Sequence, residues 1–451
     1  MPREAVSPGV GARGIALPLV GESLGSRIAR AFHLPRHPHE HVEHPDHPRW
    51  WHSFALWFPL AVYAASRLVD AVYFELMQRH QIAMGAQNAV ARVLYPTPEA
   101  PGYFVVLANW DGQWYHEIAD LGYPNPLPVD EHGTVVQNPW AFYPVFPMLT
   151  RAVMRVTGLD FYVAGSTLSL LVGALAVVLM FRLVDEAVGR WSAIVTTVLV
   201  STYVAAPVLQ TCYTESYALL MVVLVLMALR ARRYWWALAG LVVLALTRNI
   251  VLAMAPAILA HIAVRWLRRD VEPFGWWPRL QLVGLTAASV TLTWLWSAIA
   301  GVVTGDPDAY AKTMAAWRVD AREIKLHTWI DYLYYDYGYK GWVVAALLVA
   351  AYAWFMLTHR TQRWGPELWG WAGAYPAYQV LVTGIGPSRI RYFLLAFPVA
   401  ILVGWLLNRP RWRRWRSPLL VLLGVGGLAL QGWWIWNYWV ILTLEGDIQF
   451  P

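Results

Sequence analysis

The sequence has little of what soluble and secreted proteins use for cross-linking and for surface charge. It contains one cysteine, Cys212, in 451 residues, which excludes a disulfide framework and a cysteine-rich metal site. Its only lysines are Lys312, Lys325 and Lys340, and charged residues make up 14% of the chain. The net charge of +7 comes from arginines on short connections between apolar runs, a pattern that indicates membrane topology rather than nucleic-acid binding.

Apolar and aromatic residues are abundant instead. Hydrophobic residues make up 58% of the chain, and the mean hydropathy is +0.40, which lies outside the range of soluble domains. The apolar residues occur in runs of roughly 17 to 25, and each run is long enough to cross a hydrocarbon core of about 30 Å. The 28 tryptophans and 23 tyrosines are typical of rings at the level of lipid headgroups. We therefore predict one all-α polytopic membrane domain.

The apolar runs predict about eleven transmembrane helices. They lie near residues 53–77, 161–184, 191–209, 216–230, 234–248, 251–267, 280–303, 342–358, 366–384, 392–407 and 418–440. Arginines fall on alternate connections between them, among these Arg230, Arg268, Arg360 and Arg409. Because positive residues mark the cytoplasmic side of a membrane, we predict that the amino terminus lies inside and the carboxyl terminus outside.

Residues 1–52 differ from the rest of the chain. They are polar and rich in Pro, Gly, Arg and His, which predicts a disordered cytoplasmic tail in front of a membrane domain formed by residues 53–451. Seven of the thirteen histidines lie in this tail. A metal site there is an open alternative, although alternating prolines oppose helical pairing of the histidines. The first apolar run begins too late for a cleaved signal peptide, so we expect a retained signal anchor.

This topology leaves two long segments on the outer face, residues 78–160 and 304–341. Both are too long to be simple turns. We expect the second to form an interfacial helix over the membrane. Its aromatic block WIDYLYYDYGY, residues 329–339, is interpreted as a membrane anchor, with stacking on sugar rings as the alternative. His327, just before the block, is a candidate for assisting proton transfer.

The first outer segment contains the stretch NWDGQWYHEIADLGYP, residues 109–124. Residues 112–121 have helical spacing, with Trp114, Ile118 and Leu121 on one apolar face. Asp111 then stands at the start of a helix, where backbone N–H groups favour a carboxylate. A carboxylate at this place can accept the proton of an attacking hydroxyl as a general base. The alternative is that Asp111 only caps the helix.

The same stretch begins a series of motifs that resembles a known family. In order, the chain contains WDGQWYHEIADLGY, AFYPVFPMLTR, CYTESYALLMVV, LAGLVVLALTRNIVLAMAP and PSRIRYFLLAFPVAILVG. Together these motifs resemble the glycosyltransferase-C (GT-C) superfamily, and within it the PIG-V type, the mannosyltransferases that add the second mannose to GPI anchors, and their bacterial relatives. The resemblance implies many transmembrane helices, an outward-facing active site, a polyprenyl-phosphate sugar as donor and a loop-one aspartate as base in an inverting transfer.

Asp111 matches the loop-one aspartate of that superfamily. Eukaryotic members tend to carry His where this chain has Glu117, so Tyr115, His116 and Glu117 are predicted to lie around the site or at the acceptor. No adjacent carboxylate forms an Asp-x-Asp pair with Asp111, so no metal ligand is assigned and a divalent metal stays open. The sequence shows neither a P-loop nor a Rossmann glycine pattern, and no cofactor is assigned.

Three arginines occur at predicted outer junctions, where arginine should be rare: Arg248, Arg389 and Arg391. Arginine near the hydrocarbon is costly, and the guanidinium fork suits phosphate. We therefore interpret these arginines as binding the donor phosphate, with snorkelling to headgroups as the alternative. Glu215 opens a span on the outer side, where it pairs with one of these arginines, contacts acceptor hydroxyls or serves as a helix-start glutamate.

The sequence thus predicts a membrane glycosyltransferase that moves a sugar, mannose by the resemblance, from polyprenyl phosphate to a lipid or glycan hydroxyl. The preference for Arg over Lys fits a bacterial inner membrane, with the site on the periplasmic face. A transporter or flippase is the alternative from another class, but it predicts internal repeats that the sequence does not show. An arabinosyltransferase of the same superfamily also stays open. Arg67 and Asp70, one turn apart in the first span, are predicted to form a structural ion pair.

Overall fold

The computed structural model of the chain describes residues 53–85, 93–317, 325–358, 363–383 and 388–443. Within these residues the protein is helical, and β-structure is confined to two isolated bridges, Met84 with Thr97 and Val129 with Val135. The predicted tail, residues 1–52, lies outside the described residues. The all-helical class predicted from the sequence is confirmed.

The helices cover most of the described chain. In chain order they are α1 Phe54–Met77, α2 Asp111–Asp120, α3 Val145–Thr157, α4 Phe161–Val188, α5 Arg190–Ser201, α6 Glu215–Arg230, α7 Tyr234–Ala245, α8 Met254–Leu267, α9 Trp276–Thr291, α10 Leu295–Thr304, α11 Ala309–Ala316, α12 Lys325–Tyr337, α13 Tyr339–Met356, α14 Pro366–Val382, α15 Arg389–Tyr392, α16 Ala400–Leu407 and α17 Arg416–Trp434. A one-turn helix, Tyr103–Val106, precedes α2, and short 3₁₀ turns connect several of the others.

Several of these helices are long and apolar enough to cross a membrane. Among the described residues they are five, namely Phe54–His80, Phe161–Val188, Trp276–Thr304, Tyr339–Met356 and Arg416–Trp439. A sixth results if Arg389–Leu395 and Phe397–Leu407, bent by 72° at their junction, count as one span. The chain is therefore an integral membrane protein, as its composition predicts.

The predicted count of eleven spans is not confirmed. A helix occupies each predicted position, but α5 and α7 contain only 12 residues each. At about 1.5 Å per residue such a helix is about 18 Å long, well short of a hydrocarbon core of about 30 Å. Hydropathy alone does not show where a helix breaks, so the count and the orientation of the chain stay predictions.

The helix α6 lies at the centre of the bundle. Most of its side chains are buried on all sides, among them Leu219, Val223 and Leu226. A helix that is apolar all round is stable only inside such a bundle. Its first residue, Glu215, is fully buried as well, so the start of α6 brings a charge into the protein interior.

The first outer segment forms its helix close to the predicted place. The helix α2 runs over Asp111–Asp120, and Trp114 and Ile118 are buried as predicted. The prediction for Leu121 was wrong: it follows the last helical residue and is 75% exposed. The helical spacing therefore applies only up to Asp120.

The second outer segment is divided into two helices rather than one. The helix α11 ends at Ala316, and α12 runs over Lys325–Tyr337 and continues almost directly into the span α13. Residues 318–324 and the side chain of His327 lie outside the described part of the chain. Tyr334, Tyr335 and Tyr337 of the aromatic block are exposed, a position compatible with both proposed roles of the block.

Candidate active site

Asp111 is the first residue of α2. The N-cap position belongs to Trp110, whose side chain makes no capping hydrogen bond, and Asp111 lies in the first turn of the helix. Its Oδ2 atom accepts a hydrogen bond of 2.5 Å from Nη2 of Arg391. The Asp111 side chain is 31% exposed and that of Arg391 is 7% exposed. A carboxylate that a substrate can reach is thus held against a buried arginine.

The turn that presents Asp111 is strained and is held from two sides. Trp110 has a φ of +61°, which is uncommon for a residue with a bulky side chain. The Tyr213 hydroxyl accepts a hydrogen bond of 2.9 Å from the Asp111 backbone N–H and donates one of 3.0 Å to the Asn109 carbonyl. Nε1 of Trp110 donates to the Trp439 carbonyl at 2.9 Å. Residues just before α6 and just after α17 therefore fix the conformation of loop one.

Arg248, Arg391 and Glu215 lie together beside this turn. Nη1 of Arg248 donates to Oε1 of Glu215 at 2.6 Å, and Nε of Arg391 lies 3.7 Å from the same oxygen. The Nε atom of Arg391 and the Oε2 atom of Glu215 are buried and have no hydrogen-bond partner in the protein. Such unsatisfied polar atoms are costly, and they are expected where a ligand or water completes the site.

A third arginine joins this group around one aromatic ring. The guanidinium carbons of Arg248, Arg389 and Arg391 lie 4.1, 5.1 and 5.2 Å from the centroid of the Tyr392 ring. The Tyr392 ring therefore attracts all three guanidinium groups through its π-electrons. We call Arg248, Arg389, Arg391 and Tyr392 the arginine cluster. Two carboxylates pair with arginines of this cluster: Asp111 with Arg391, and Glu215 with Arg248.

The structure thus brings together five of the residues predicted from the sequence: Asp111, Glu215, Arg248, Arg389 and Arg391. Sequence reasoning missed the two tyrosines that position them, Tyr213 and Tyr392. Tyr213 lies two positions before Glu215 in the motif YTE, and Tyr392 directly follows Arg391 in the motif RIRY. Aromatic residues are so frequent in this chain that neither tyrosine could be distinguished as a site residue.

Tyr115 lies next to the cluster and is fully buried among aromatic rings. Its ring packs edge-on against Phe142 and Phe146 at 5.2 and 5.1 Å. Burial raises the pKa of its hydroxyl, and the negative charges of Asp111 and Glu215 raise it further. Tyr115 is therefore neutral and supports the site by packing and polarity rather than by accepting a proton.

His116 and Glu117 contact a different group of residues. The His116 imidazole is stacked between Tyr95 and Phe161, with centroids 4.1 and 4.6 Å away, and its Nε2 lies 3.1 Å from Oδ2 of Asp120. Burial lowers the pKa of His116 more than Asp120 raises it. Glu117 accepts a hydrogen bond of 2.9 Å from the Tyr95 hydroxyl. Both residues support α2 from a side that does not contact the arginine cluster.

Two further expectations concern metals and the first span. Among the described residues no group of three or more His, Cys, Asp or Glu side chains could hold a metal ion. The predicted ion pair of Arg67 and Asp70 is confirmed: Nη2 of Arg67 lies 2.8 Å from Oδ2 of Asp70, and both side chains are buried. Arg67 also donates to the Ser201 carbonyl at 2.9 Å, which ties α1 to α5 and indicates a structural role.

Comparison with known proteins gives distant structural similarity only. No protein-family model matches the sequence, and no curated protein matches it significantly. Crystal structures of ArnT from Cupriavidus metallidurans, bound to undecaprenyl phosphate and in the apo state, are similar with 14% sequence identity and a TM-score of 0.47, over 85% of this chain and 76% of ArnT. The Archaeoglobus fulgidus oligosaccharyltransferase, in a complex with zinc and sulfate, is similar with 13% identity and a TM-score of 0.40, over 82% of this chain and 52% of that one. These sequence identities and TM-scores are too low to assign an activity or a substrate to this chain. None of these three structures represents the PIG-V type, which stays a prediction.

Proposed function

We propose that the chain is a membrane glycosyltransferase of the GT-C type, which transfers a sugar from a polyprenyl phosphate to a hydroxyl of a lipid or glycan acceptor. The observation that carries the proposal is the contact of the accessible Asp111 carboxylate with Arg391 at the edge of the arginine cluster. Such a site combines a group that accepts a proton with groups that bind a phosphate. Both are needed when a hydroxyl displaces a phosphate from a sugar carbon.

The arginine cluster supports a phosphate as leaving group. Arginine presents planar donors that match phosphate oxygens bidentately. Arg391 has an unused Nε donor, and it is buried, so its interaction with a bound anion would be screened little by water. A bound phosphate would accept the hydrogen bond that this Nε atom does not make within the protein.

An apolar cavity next to the cluster supports a lipid as carrier of that phosphate. The cavity has a volume of about 350 Å³, and its lining includes Phe393, Leu394, Phe397 and Leu199. Phe393 and Leu394 directly follow the helix α15 that contains Arg391. A prenyl chain packed in this cavity would have its phosphate end close to the arginines.

The reaction then follows from these positions. Asp111 removes the proton of the acceptor hydroxyl while the hydroxyl oxygen bonds to the anomeric carbon. The bond between that carbon and the phosphate oxygen breaks, and the negative charge that develops on the lipid phosphate is stabilised by Arg391 and its neighbours. Because the bound phosphate attracts Arg391, the contact of Arg391 with Asp111 weakens when the donor is present, which leaves the carboxylate available to the acceptor.

The sugar and the location are finer parts of the proposal. Mannose as the donor sugar rests on the PIG-V resemblance, and arabinose fits the same geometry. A bacterial inner membrane, with the site on the periplasmic face, rests on the arginine pattern of the connections. A divalent metal is not needed for the steps above.

Transfer from radiolabelled polyprenyl-phosphate mannose into membrane lipids and glycans tests the proposal. We expect Asp111→Asn to lower the rate by a factor of about 10² or more. Asp120→Asn is the matched control, since it removes a carboxylate from the same helix that does not contact the arginine cluster. Equal loss in both variants would contradict the assignment of Asp111 as base. Absence of transfer by wild type from both mannose and arabinose donors would favour the transporter.

A further inference from the structure

A polar cavity lies at the other end of the bundle from the candidate active site. It has a volume of about 640 Å³, and its lining includes Arg190, Arg363, Arg409, Trp191, Trp364 and Trp405. We call it the Arg363 cavity. Its walls come from the end of α4, the start of α5, the end of α16 and the residues before α14.

The Arg363 cavity is separate from the candidate active site. The helix α4 connects the two: Oγ of Ser169 donates to the carbonyl of Tyr213 at 3.4 Å, whereas Ala187 of the same helix lines the cavity. These residues are 18 positions apart, which corresponds to about 27 Å along a helix. This distance approaches the thickness of the hydrocarbon core, about 30 Å, so the cavity and the active site lie at opposite ends of α4.

Arg190 and Arg409 contact aromatic rings, and Arg190 is paired with a carboxylate. Arg190 pairs with Asp185 at 2.8 Å. The guanidinium of Arg409 lies 4.0 Å from the centroid of the Trp405 ring. In the described part of the chain no carboxylate lies within ion-pair distance of Arg363 or Arg409. Two positive charges therefore face a concave surface without an anionic partner.

We propose that the Arg363 cavity binds the phosphodiester headgroup of an anionic phospholipid. Guanidinium groups bind phosphate oxygens bidentately, and basic pockets between helix ends on the cytoplasmic side are suited to anionic headgroups. The tryptophans are typical of headgroup depth, and the apolar Ile401 in the lining offers contact to the acyl chains. A general excess of arginine on cytoplasmic loops accounts for positive charge in this region. It does not require that these arginines line a cavity or that one of them, Arg409, lies over a tryptophan ring. The proposal does not depend on the glycosyltransferase function.

Lipid binding by the full-length purified chain tests this inference without any sugar donor. The wild type is incorporated into phosphatidylcholine nanodiscs with rising fractions of phosphatidylglycerol, and retained lipids are counted by native mass spectrometry after extraction. We expect Arg363→Gln/Arg409→Gln to weaken phosphatidylglycerol retention by about 10-fold. Arg411→Gln/Arg413→Gln is the matched control, because it removes two exposed charges of the same basic loop that do not line the cavity and should retain the lipid as wild type does.

Three results would overturn the inference. Equal losses in both double variants would indicate general attraction between the loop and anionic membranes, and unchanged retention in both would exclude the cavity. Displacement of the lipid by inorganic phosphate at equal concentration would show that the cavity prefers a soluble anion. The single variant Arg363→Gln controls for misfolding of the double variant, since Arg363 is exposed and its replacement should not disturb the fold. We expect the single variant to lose less lipid retention than the double variant.

Discussion

The hydroxyl of Tyr213 bonds to both sides of the turn that presents Asp111. Tyr213→Phe removes both hydrogen bonds and leaves the Asn109 carbonyl and the Asp111 N–H without this partner. We expect a loss of about 1 to 3 kcal/mol in the free energy of unfolding. We also expect a lower kcat for sugar transfer, with KM for the donor less affected, because the arginines that we propose to bind the donor phosphate stay in place. Thermal unfolding and transfer kinetics measure the two effects.

Tyr123→Phe is the control for that prediction. Tyr123 belongs to the same outer segment, and its hydroxyl donates one hydrogen bond of 3.0 Å to the Phe142 carbonyl. We expect Tyr123→Phe to lower stability modestly and to leave kcat unchanged at a temperature where both variants are folded. If both tyrosine variants reduced kcat equally, Tyr213 would have no special role in positioning Asp111.

His116 makes the stability of the first outer segment depend on pH. Burial lowers its pKa below the ordinary value of 6.5, so the unfolded chain binds a proton more readily than the folded one. The stabilisation is complete above pH 6.5 and is lost as the pH falls toward the lowered pKa. We expect His116→Gln to flatten the dependence of the unfolding midpoint on pH between about 7.5 and 5. His132→Gln, at an exposed histidine of the same segment, should keep the slope of the wild type, and an unchanged slope in His116→Gln would contradict the prediction.

At the scale of the helices, α8 and α14 pack with little space between their backbones. A Cβ atom at Gly370 would lie 2.6 Å from Cα of Ala257, and small residues at such contacts allow close approach in membranes. The same pair of helices holds His261 Nδ1 and Glu367 Oε1 2.5 Å apart in a fully buried contact. We expect Gly370→Ala to lower the free energy of unfolding by about 1 to 3 kcal/mol because the helices must separate.

Gly426 provides the matched control for this packing. It lies within α17, and a Cβ atom there would meet nothing within 4 Å. Gly426→Ala should therefore leave stability unchanged or raise it by up to about 1 kcal/mol, since alanine favours helix more than glycine does. If Gly370→Ala were as stable as Gly426→Ala in thermal unfolding, the close contact of α8 and α14 would not limit stability.

The helices also show which features hydropathy predicts and which it does not. The positions of the apolar helices were predicted well, because a helix must be apolar both where it faces lipid and where it is buried in protein. Their breaks were not predicted: the chain bends by 72° between Leu395 and Phe397, where Pro398 lies in the first turn after the break, although hydropathy shows one apolar run there. The helix α6 likewise has the composition of a span, although it is surrounded by other helices.

At the scale of the whole molecule, the candidate site depends on contacts between distant parts of the chain. Asp111 and Arg391 are separated by 280 positions, and Arg248 reaches the same place from the break between α7 and α8. The sequence indicated each residue separately, since each charge is unusual beside apolar runs. It did not indicate that Glu215 would lie between two of the arginines, because that arrangement follows from how α6 and α15 pack.

The orientation of the whole chain decides which compartment supplies the acceptor. Cys212 is fully buried and is the only cysteine of the sequence, so the wild type should not react with a membrane-impermeant maleimide. Val129→Cys lies at an exposed position of the first outer segment, and we expect it to react in cells whose inner membrane is intact but whose outer barrier is permeable. Arg413→Cys, in the basic loop before α17, should react only after lysis, because positive loops stay on the cytoplasmic side. The reverse pattern would place Asp111 and the arginine cluster at the cytoplasmic surface, and an acceptor would then have to come from that side.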